Sequence, residues 1–322
     1  MSRPPVDGPI RVAVTVDELV LWEGSPLPAD YTAQGIVASM VDTLAQRNIK
    51  GCYGFPHTYP VAQSPELREA LDLWVDAGHH LGNHTHQHAS LNWVTGKQYV
   101  DDIDVAENVL GDLLDAAPTR YFRYAMDMTG RSEQKRGIVE DHLRDSGYTV
   151  APITAWFGDF AWIAPYYRAK VNRDEEALAM LRNSYVDAAE FHLRSHSAAA
   201  RELWGTNVPC IWLIHATPIA GDMLGAILDR FTQIGVEFIG LDEAMRHPSN
   251  KMLPPVTHQF RNHMERQLAA AGVKRDLVPA EIAAAVLEAS PLDGYGSFDV
   301  YEDHILKPIA ARVGGEWDWD WT

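Results

Sequence analysis

Short apolar runs alternate with longer amphipathic stretches from Arg11 to Leu241. The runs RVAVTV, KGCYGF, HHLGN, RYFRYA, YTVAPI, CIWLIH and VEFIGL are rich in β-branched and aromatic residues and read as seven strands. Between them, apolar residues recur at helical spacing: Ile36, Val37, Met40, Val41 and Leu44, and later Val100, Ile103, Ala106, Val109, Leu110 and Leu113. Leu67, Leu71, Leu73 and Val75 follow Ser64 and Pro65, a cap and a first-turn proline. Gly78, Gly147 and Gly235 stand where helices should stop. Strand and helix alternating at this spacing imply parallel βαβ units, and seven of them predict an imperfect seven-stranded (β/α) barrel. Chemistry in such barrels gathers at the C-terminal ends of the strands.

That rule selects a small set of side chains. The first strand runs into Asp17 and Glu18, LGN into His84 and CIWLI into His215, while Arg123 lies near the end of the fourth strand. Acid, cation and histidine converging in this way are the parts of a metal-assisted hydrolase. In LGNHTHQHAS, His84, His86 and His88 alternate. On a strand all three would point the same way, whereas in a helical turn only His84 and His88 would share a face. A hydrolytic divalent ion needs three protein ligands and an open position, so the second geometry requires a ligand from elsewhere. His79 and His80 read as structural or exposed.

Composition narrows the partners. With 44 acidic against 27 basic residues, a formal charge of -17 argues against nucleic acid and anionic membranes. No apolar run reaches the ~20 residues of a membrane span, and MSRPPVDGPIRVAV contains no signal-like stretch. A cytoplasmic protein is expected from the sequence as given, or an exported one if a signal has been removed. Cys52 and Cys210 sit in apolar runs and read as buried free thiols.

The motifs carry a resemblance. TVDE at 15–18, HTHQH at 84–88, RYAM at 123–126, WFGDF at 156–160 and LIH at 213–215 stand in the order of the T-F-D-D, H-[ST]-x-x-H, R-x-P-[YF], D-x-x-D-W and L-x-H motifs. The chain thus resembles the polysaccharide deacetylase family, carbohydrate esterases related to rhizobial chitooligosaccharide deacetylase, from about residue 10 to 248. The resemblance implies that His84 and His88 bind one divalent ion, with His86 at a variable position. Glu18, in place of the usual second aspartate, is expected to complete the site. Zinc is expected first, with cobalt, nickel or manganese as other candidates. Asp17 would be the general base, Arg123 its holder, His215 the acid and Asp159 the residue orienting it. The backbone N–H of Met126 would serve the oxyanion, and Leu213 with Phe160 would wall the acyl methyl. Ala125, Met126, Trp156 and Phe160 depart from the pattern where the acyl pocket and its mouth are expected, so they bear on the substrate.

The implied activity is removal of an acetyl or similar small acyl group from an N-acylated amino sugar or related small molecule or oligosaccharide. The alternatives are a metal-independent hydrolase of a cyclic amide or ureide, and a non-catalytic carbohydrate-binding protein. Trp22, Trp93, Trp156 and Trp162 are candidates for stacking on sugar rings. Residues 1–250 are expected to form the catalytic barrel, and 251–322 a mostly helical extension docked on it or on a second subunit. The extension holds helix-like HQFRNHMERQLAAA, PAEIAAAVLEA and YEDHILKPIAAR, the loop DGYGSFD, and GEWDWDWT, which alternates acid and Trp as a strand would. A homo-oligomer built through the extension is one expectation.

Overall fold

The structure, a computed structural model, describes residues 8–288 and 297–320. Most of DGYGSFD and the last two residues of GEWDWDWT lie outside the described residues. Seven strands form at the seven predicted runs: β1 Arg11–Asp17, β2 Tyr53–Phe55, β3 His80–Leu81, β4 Tyr121–Phe122, β5 Thr149–Val150, β6 Cys210–His215 and β7 Glu237–Phe238. All pairings are parallel. One sheet runs β3-β2-β1-β6 with β7 also on β1, and a second pairs β4 with β5. Two isolated bridges, Asn83 with Phe122 and Ala155 with Trp212, join them. This is an α/β fold with a parallel sheet, consistent with the (β/α) barrel that the alternation predicts.

Only β1 and β6 approach the predicted length. Pro152 has no N–H to give a ladder, which stops YTVAPI at Val150. Just past β3, a Cβ on Gly82 would lie 2.3 Å from the Phe55 ring, leaving no room for a side chain. Alternation along β1 sets the two faces. Val12, Val14 and Val16 pack in the main core, while Ala13 joins Tyr53, Phe55, Tyr121 and Ile211 in a second, inner cluster. Thr15 and Asp17 share the period of Ala13 and therefore belong to that inner side.

Helices cover the outer face. Ala33–Gln46 is capped by the Thr32 side chain, and Gly96–Leu110 opens on a capping box between Thr95 and Gln98. Gly78, Gly147 and Gly235 adopt positive φ just beyond helix ends, as predicted. Ser64 makes no side-chain cap; a 3₁₀ turn, Pro65–Leu67, precedes the helix Arg68–Asp76. A 30-residue helix, Glu175–Trp204, was not among the expected elements. It buries Leu178, Leu181, Tyr185, Ala188, Ala189 and Leu193, a stripe at three- and four-residue steps.

Beyond residue 250, the first helix is shorter than HQFRNHMERQLAAA: Asn262 caps His263–Ala271, and Gly272 closes it at positive φ. Within YEDHILKPIAAR, Tyr301–Leu306 is a π-helical turn leading into the α-helix Lys307–Arg312. Trp317 and Trp319 lie with ring centroids 5.3 and 6.0 Å from Trp93. The Trp93 indole donates to the Asp318 carbonyl at 2.8 Å, and a bridge pairs Asp320 with Gln259. Among the described residues, no helix is long and apolar enough to cross a membrane.

Candidate active site

The β1–β6 register places Asp17 opposite His215, and the β1–β2 register places it opposite Phe55. Arg123, fully buried, donates to Asp17 Oδ1 at 2.6 Å, to Thr15 Oγ1 at 2.9 Å and to the Ala151 carbonyl at 3.1 Å. Its guanidinium lies 4.0 Å over the Phe55 ring. The buried cation is thereby balanced by a carboxylate, a hydroxyl, a carbonyl and an aromatic face.

Glu18 follows with φ 55. Thr85, His88, Met126 and Asp127 also take positive φ, a concentration of left-handed, non-glycine backbone characteristic of functional sites. HTHQH is neither strand nor helical turn, so neither expected geometry holds. Asn83 Oδ1 accepts from the Thr85 amide, Thr85 Oγ1 accepts from the His88 amide, and Asp102 accepts from the amides of His86 and Gln87. This folding brings the rings of His84 and His88 to 5.0 Å and sends His86 away, to Thr58 Oγ1 at 2.8 Å.

Glu18, His84 and His88 offer three ligand atoms within 4.8 Å of one another. His84 donates through Nδ1 to the Arg123 carbonyl at 2.9 Å, which leaves Nε2 as the free lone pair, 3.4 Å from Glu18 Oε1. Glu18 Oε1 is buried without a hydrogen-bond partner, while Oε2 meets Nδ1 of His57. Burial pushes the Glu18 carboxyl up to about 8, against the opposing pull of His84 and His215. Burial also lowers the histidines, His57 to about 3 and His88 well below its ordinary range. Neutral imidazoles beside a desolvated carboxylate with an orphaned oxygen form a donor set that fits a divalent cation. One contact fits less simply. The Trp22 indole N–H donates to His88 Nδ1 at 3.2 Å, so neutral His88 carries its own proton on Nε2, 3.2 Å from Glu18 Oε1.

On the other side, His215 donates through Nδ1 to Asp159 Oδ1 at 2.7 Å, and its amide donates to Asp159 Oδ2 at 2.8 Å. Burial alone would depress the ring, but Asp159, with help from Asp17 and Glu18, raises it. His215, Asp17, His84, His88, Met126 and Leu213 all line one cavity of about 20 Å³. Trp156 lines it too, whereas Phe160 lies behind, stacked on Tyr301 at 4.2 Å, and lines an adjoining apolar cavity of about 340 Å³.

Several residues at or beside the site escaped the sequence reading. His57 follows β2 and was open to the same strand-end rule. Phe260, Asn262 and Tyr301 come from beyond residue 250 and give no local signal of a site. Of the four tryptophans, Trp22 packs within the site, 5.0 Å from His215 and 5.6 Å from Tyr301, and Trp156 lines the cavity. Trp93 packs on Trp317, and Trp162 donates to Ser184. His79 is buried on Trp74 and accepts from the Cys52 amide, a structural role. Cys52 and Cys210 are buried free thiols, pushed up to about 12 by burial.

Residues 8–138 match the family model described as polysaccharide deacetylase. Solved structures similar to this chain include a CE4 family pseudoenzyme from Bacillus anthracis, at 13% identity over 74% of this chain and 66% of that one, TM-score 0.48. A family 4 acetyl xylan esterase from Clostridium thermocellum, in complex with a cobalt ion, gives 16% identity over 73% and 90%, TM-score 0.45. A family 4 carbohydrate esterase from Streptomyces lividans, in complex with acetate, gives 15% over 72% and 92%, TM-score 0.43. No curated protein matches the chain. Residues 8–138, where the first two motifs and Arg123 stand, are thus similar to the polysaccharide deacetylase family.

Proposed function

We propose that the protein is a metal-assisted amide hydrolase that removes an acetyl or similarly small acyl group from an N-acylated amino sugar or a related small molecule. The observation that carries this reading is the pairing of two side chains able to carry a proton across one cavity: Asp17 held by Arg123, and His215 held by Asp159. A divalent ion held by Glu18, His84 and His88 would supply Lewis-acid activation of water and of the acyl oxygen. Asp17 takes the proton of the attacking water, and Arg123 keeps its carboxylate aimed. The amide of Met126 donates to the oxygen as negative charge develops there. His215 then gives its Nε2 proton to the departing nitrogen, while Asp159 fixes the tautomer and supports the cationic ring. Leu213 offers an apolar wall to an acyl methyl. Residues 1–250 serve as the catalytic unit, and the segment beyond supplies part of its wall.

The Trp22 contact on His88 favours a second reading, a metal-free hydrolase of cyclic amides, because it leaves the proton of neutral His88 on Nε2, the nitrogen that a cation would need. One experiment separates the two: metal content and acetate release over a panel of N-acetylated compounds, before and after chelation. The first reading expects activity to vanish on chelation and return with zinc, cobalt, nickel or manganese. It also expects Asp17→Asn to lower kcat by ~10²-fold or more. Full turnover by metal-free protein overturns the first reading and supports the second.

A further inference from the structure

Glu18 is one methylene longer than an aspartate, and the structure shows where the added reach goes. Its side chain is fully buried, and its two oxygens are divided between different partners. Oε2 meets Nδ1 of His57. Oε1 faces Nε2 of His84 at 3.4 Å and Nε2 of His88 at 3.2 Å, and accepts no hydrogen bond. His57 is itself buried, just past the end of β2, with its ring centroid 5.5 Å from that of His88. Its segment is tied to the loop carrying the histidine pair. The Thr58 amide donates to the Thr85 carbonyl at 3.3 Å, and the Tyr59 amide donates to the His86 carbonyl at 2.8 Å. The Thr58 hydroxyl also meets His86 Nδ1 at 2.8 Å. His57 is therefore fixed in the same frame as His84 and His88.

We infer that His57 is a positioning residue that holds Glu18 Oε2, so that Glu18 presents Oε1 alone to a divalent cation. The inference rests on the metal site proposed above. A free glutamate side chain has three rotatable bonds and would lose their entropy on binding an ion. A donor that already holds one oxygen removes much of that cost and prevents the carboxylate from turning both oxygens to the ion. In this arrangement the pair His57–Glu18 does the work of one shorter acid.

The test is the zinc affinity of the full-length chain, measured by competition with a chromophoric chelator at fixed pH. His57→Ala should weaken zinc binding by about 10- to 100-fold, the usual cost of losing a partner of a metal ligand. His57→Asn, whose amide N–H can stand near the position of Nδ1, should stay within about threefold of the parent by keeping that hydrogen bond. In a Glu18→Asp background the shorter carboxylate no longer reaches His57, so His57→Ala should add little further loss. His57→Leu, of comparable bulk and without a donor, replaces the alanine variant if that variant fails to fold. Parent-like zinc affinity in the Ala or Leu variant, or an equal penalty in both backgrounds, overturns the inference while leaving the metal site standing. No zinc binding by the unmutated chain overturns the metal reading itself, and this inference with it.

Discussion

His215 is kept protonated by a neighbour more than by its own surroundings. Burial would strip the ring of its proton, but Asp159 accepts both its Nδ1–H and its backbone N–H, and the ring ends above its ordinary range near 6.5. A general acid works only while protonated, so its raised pKa moves the alkaline limb of the rate profile upward. The sign for stability follows the same direction. The contribution from protonated His215 is fully present below about 6.5 and is lost as pH rises through the folded value. Asp159→Asn removes the charge and keeps the size. Its alkaline limb, in kcat/KM against pH, should shift to lower pH than in the parent, and His215→Ala should remove mainly that limb. A profile unmoved in both variants would assign the acid to another group.

At the scale of elements, Phe55 links strand packing to the proposed base, Asp17, through Arg123. It carries the Arg123 guanidinium on one side, and its ring edge lies against Gly82. A Cβ built on Gly82 would stand 2.3 Å from Phe55 Cε1, inside any real contact, and 3.0 Å from the Tyr121 carbonyl, a tight one. Gly82→Ala should therefore cost about 1–3 kcal/mol, as overpacking in a dense core does. By displacing Phe55 it should also misplace Arg123 and lower kcat. Gly137→Ala is the control: a Cβ there meets nothing within 4 Å, inside a helix, so stability should hold or rise by about 0.5–1 kcal/mol. Urea unfolding and initial rates on the two variants check the contrast.

The same elements show what the sequence could reveal. Strand ends led to Asp17, Glu18, His84, Arg123 and His215 because a parallel fold brings those ends to one side. They did not decide between His86 and His88. That choice depends on a loop whose turns are set by Asn83, Thr85 and Asp102, and only the family pattern pointed to it in advance. The YTVAPI strand was overestimated because Pro152, inside a run that reads as apolar, has no N–H to continue the ladder. His57 obeyed the strand-end rule but stood alone, without a motif around it. Tyr301 reaches the cavity across more than 80 residues from His215, a contact set by tertiary packing with no local periodicity to announce it.

At the scale of the molecule, the segment beyond residue 250 is coupled to the site through a buried charge. Asp127, next to Met126 and itself on the cavity wall, accepts from the His263 amide and faces Arg266 at 3.5 Å. Arg266 also donates to Thr129 at 2.6 Å, and both charged side chains are almost fully buried. Burial pushes Asp127 up to about 6 even though Arg266 opposes it, so removing the cation takes away the strongest group offsetting that burial and leaves the His263 amide and Arg123 to do so. Breaking such a pair from one side typically costs about 3–5 kcal/mol, far more than a surface ion pair. Arg266→Ala should therefore destabilise the whole barrel by more than about 2 kcal/mol in urea unfolding at pH 7. Its kcat should also fall, because Asp127 adjoins the Met126 amide proposed to serve the oxyanion. Adding Asp127→Asn removes the stranded charge and should recover part of the lost stability, which a general loosening of the segment would not allow. If Arg266→Ala unfolds within about 0.5 kcal/mol of the parent, as ordinary surface substitutions do, the segment contributes shape to the cavity wall but no electrostatic support, and the coupling argued here is wrong.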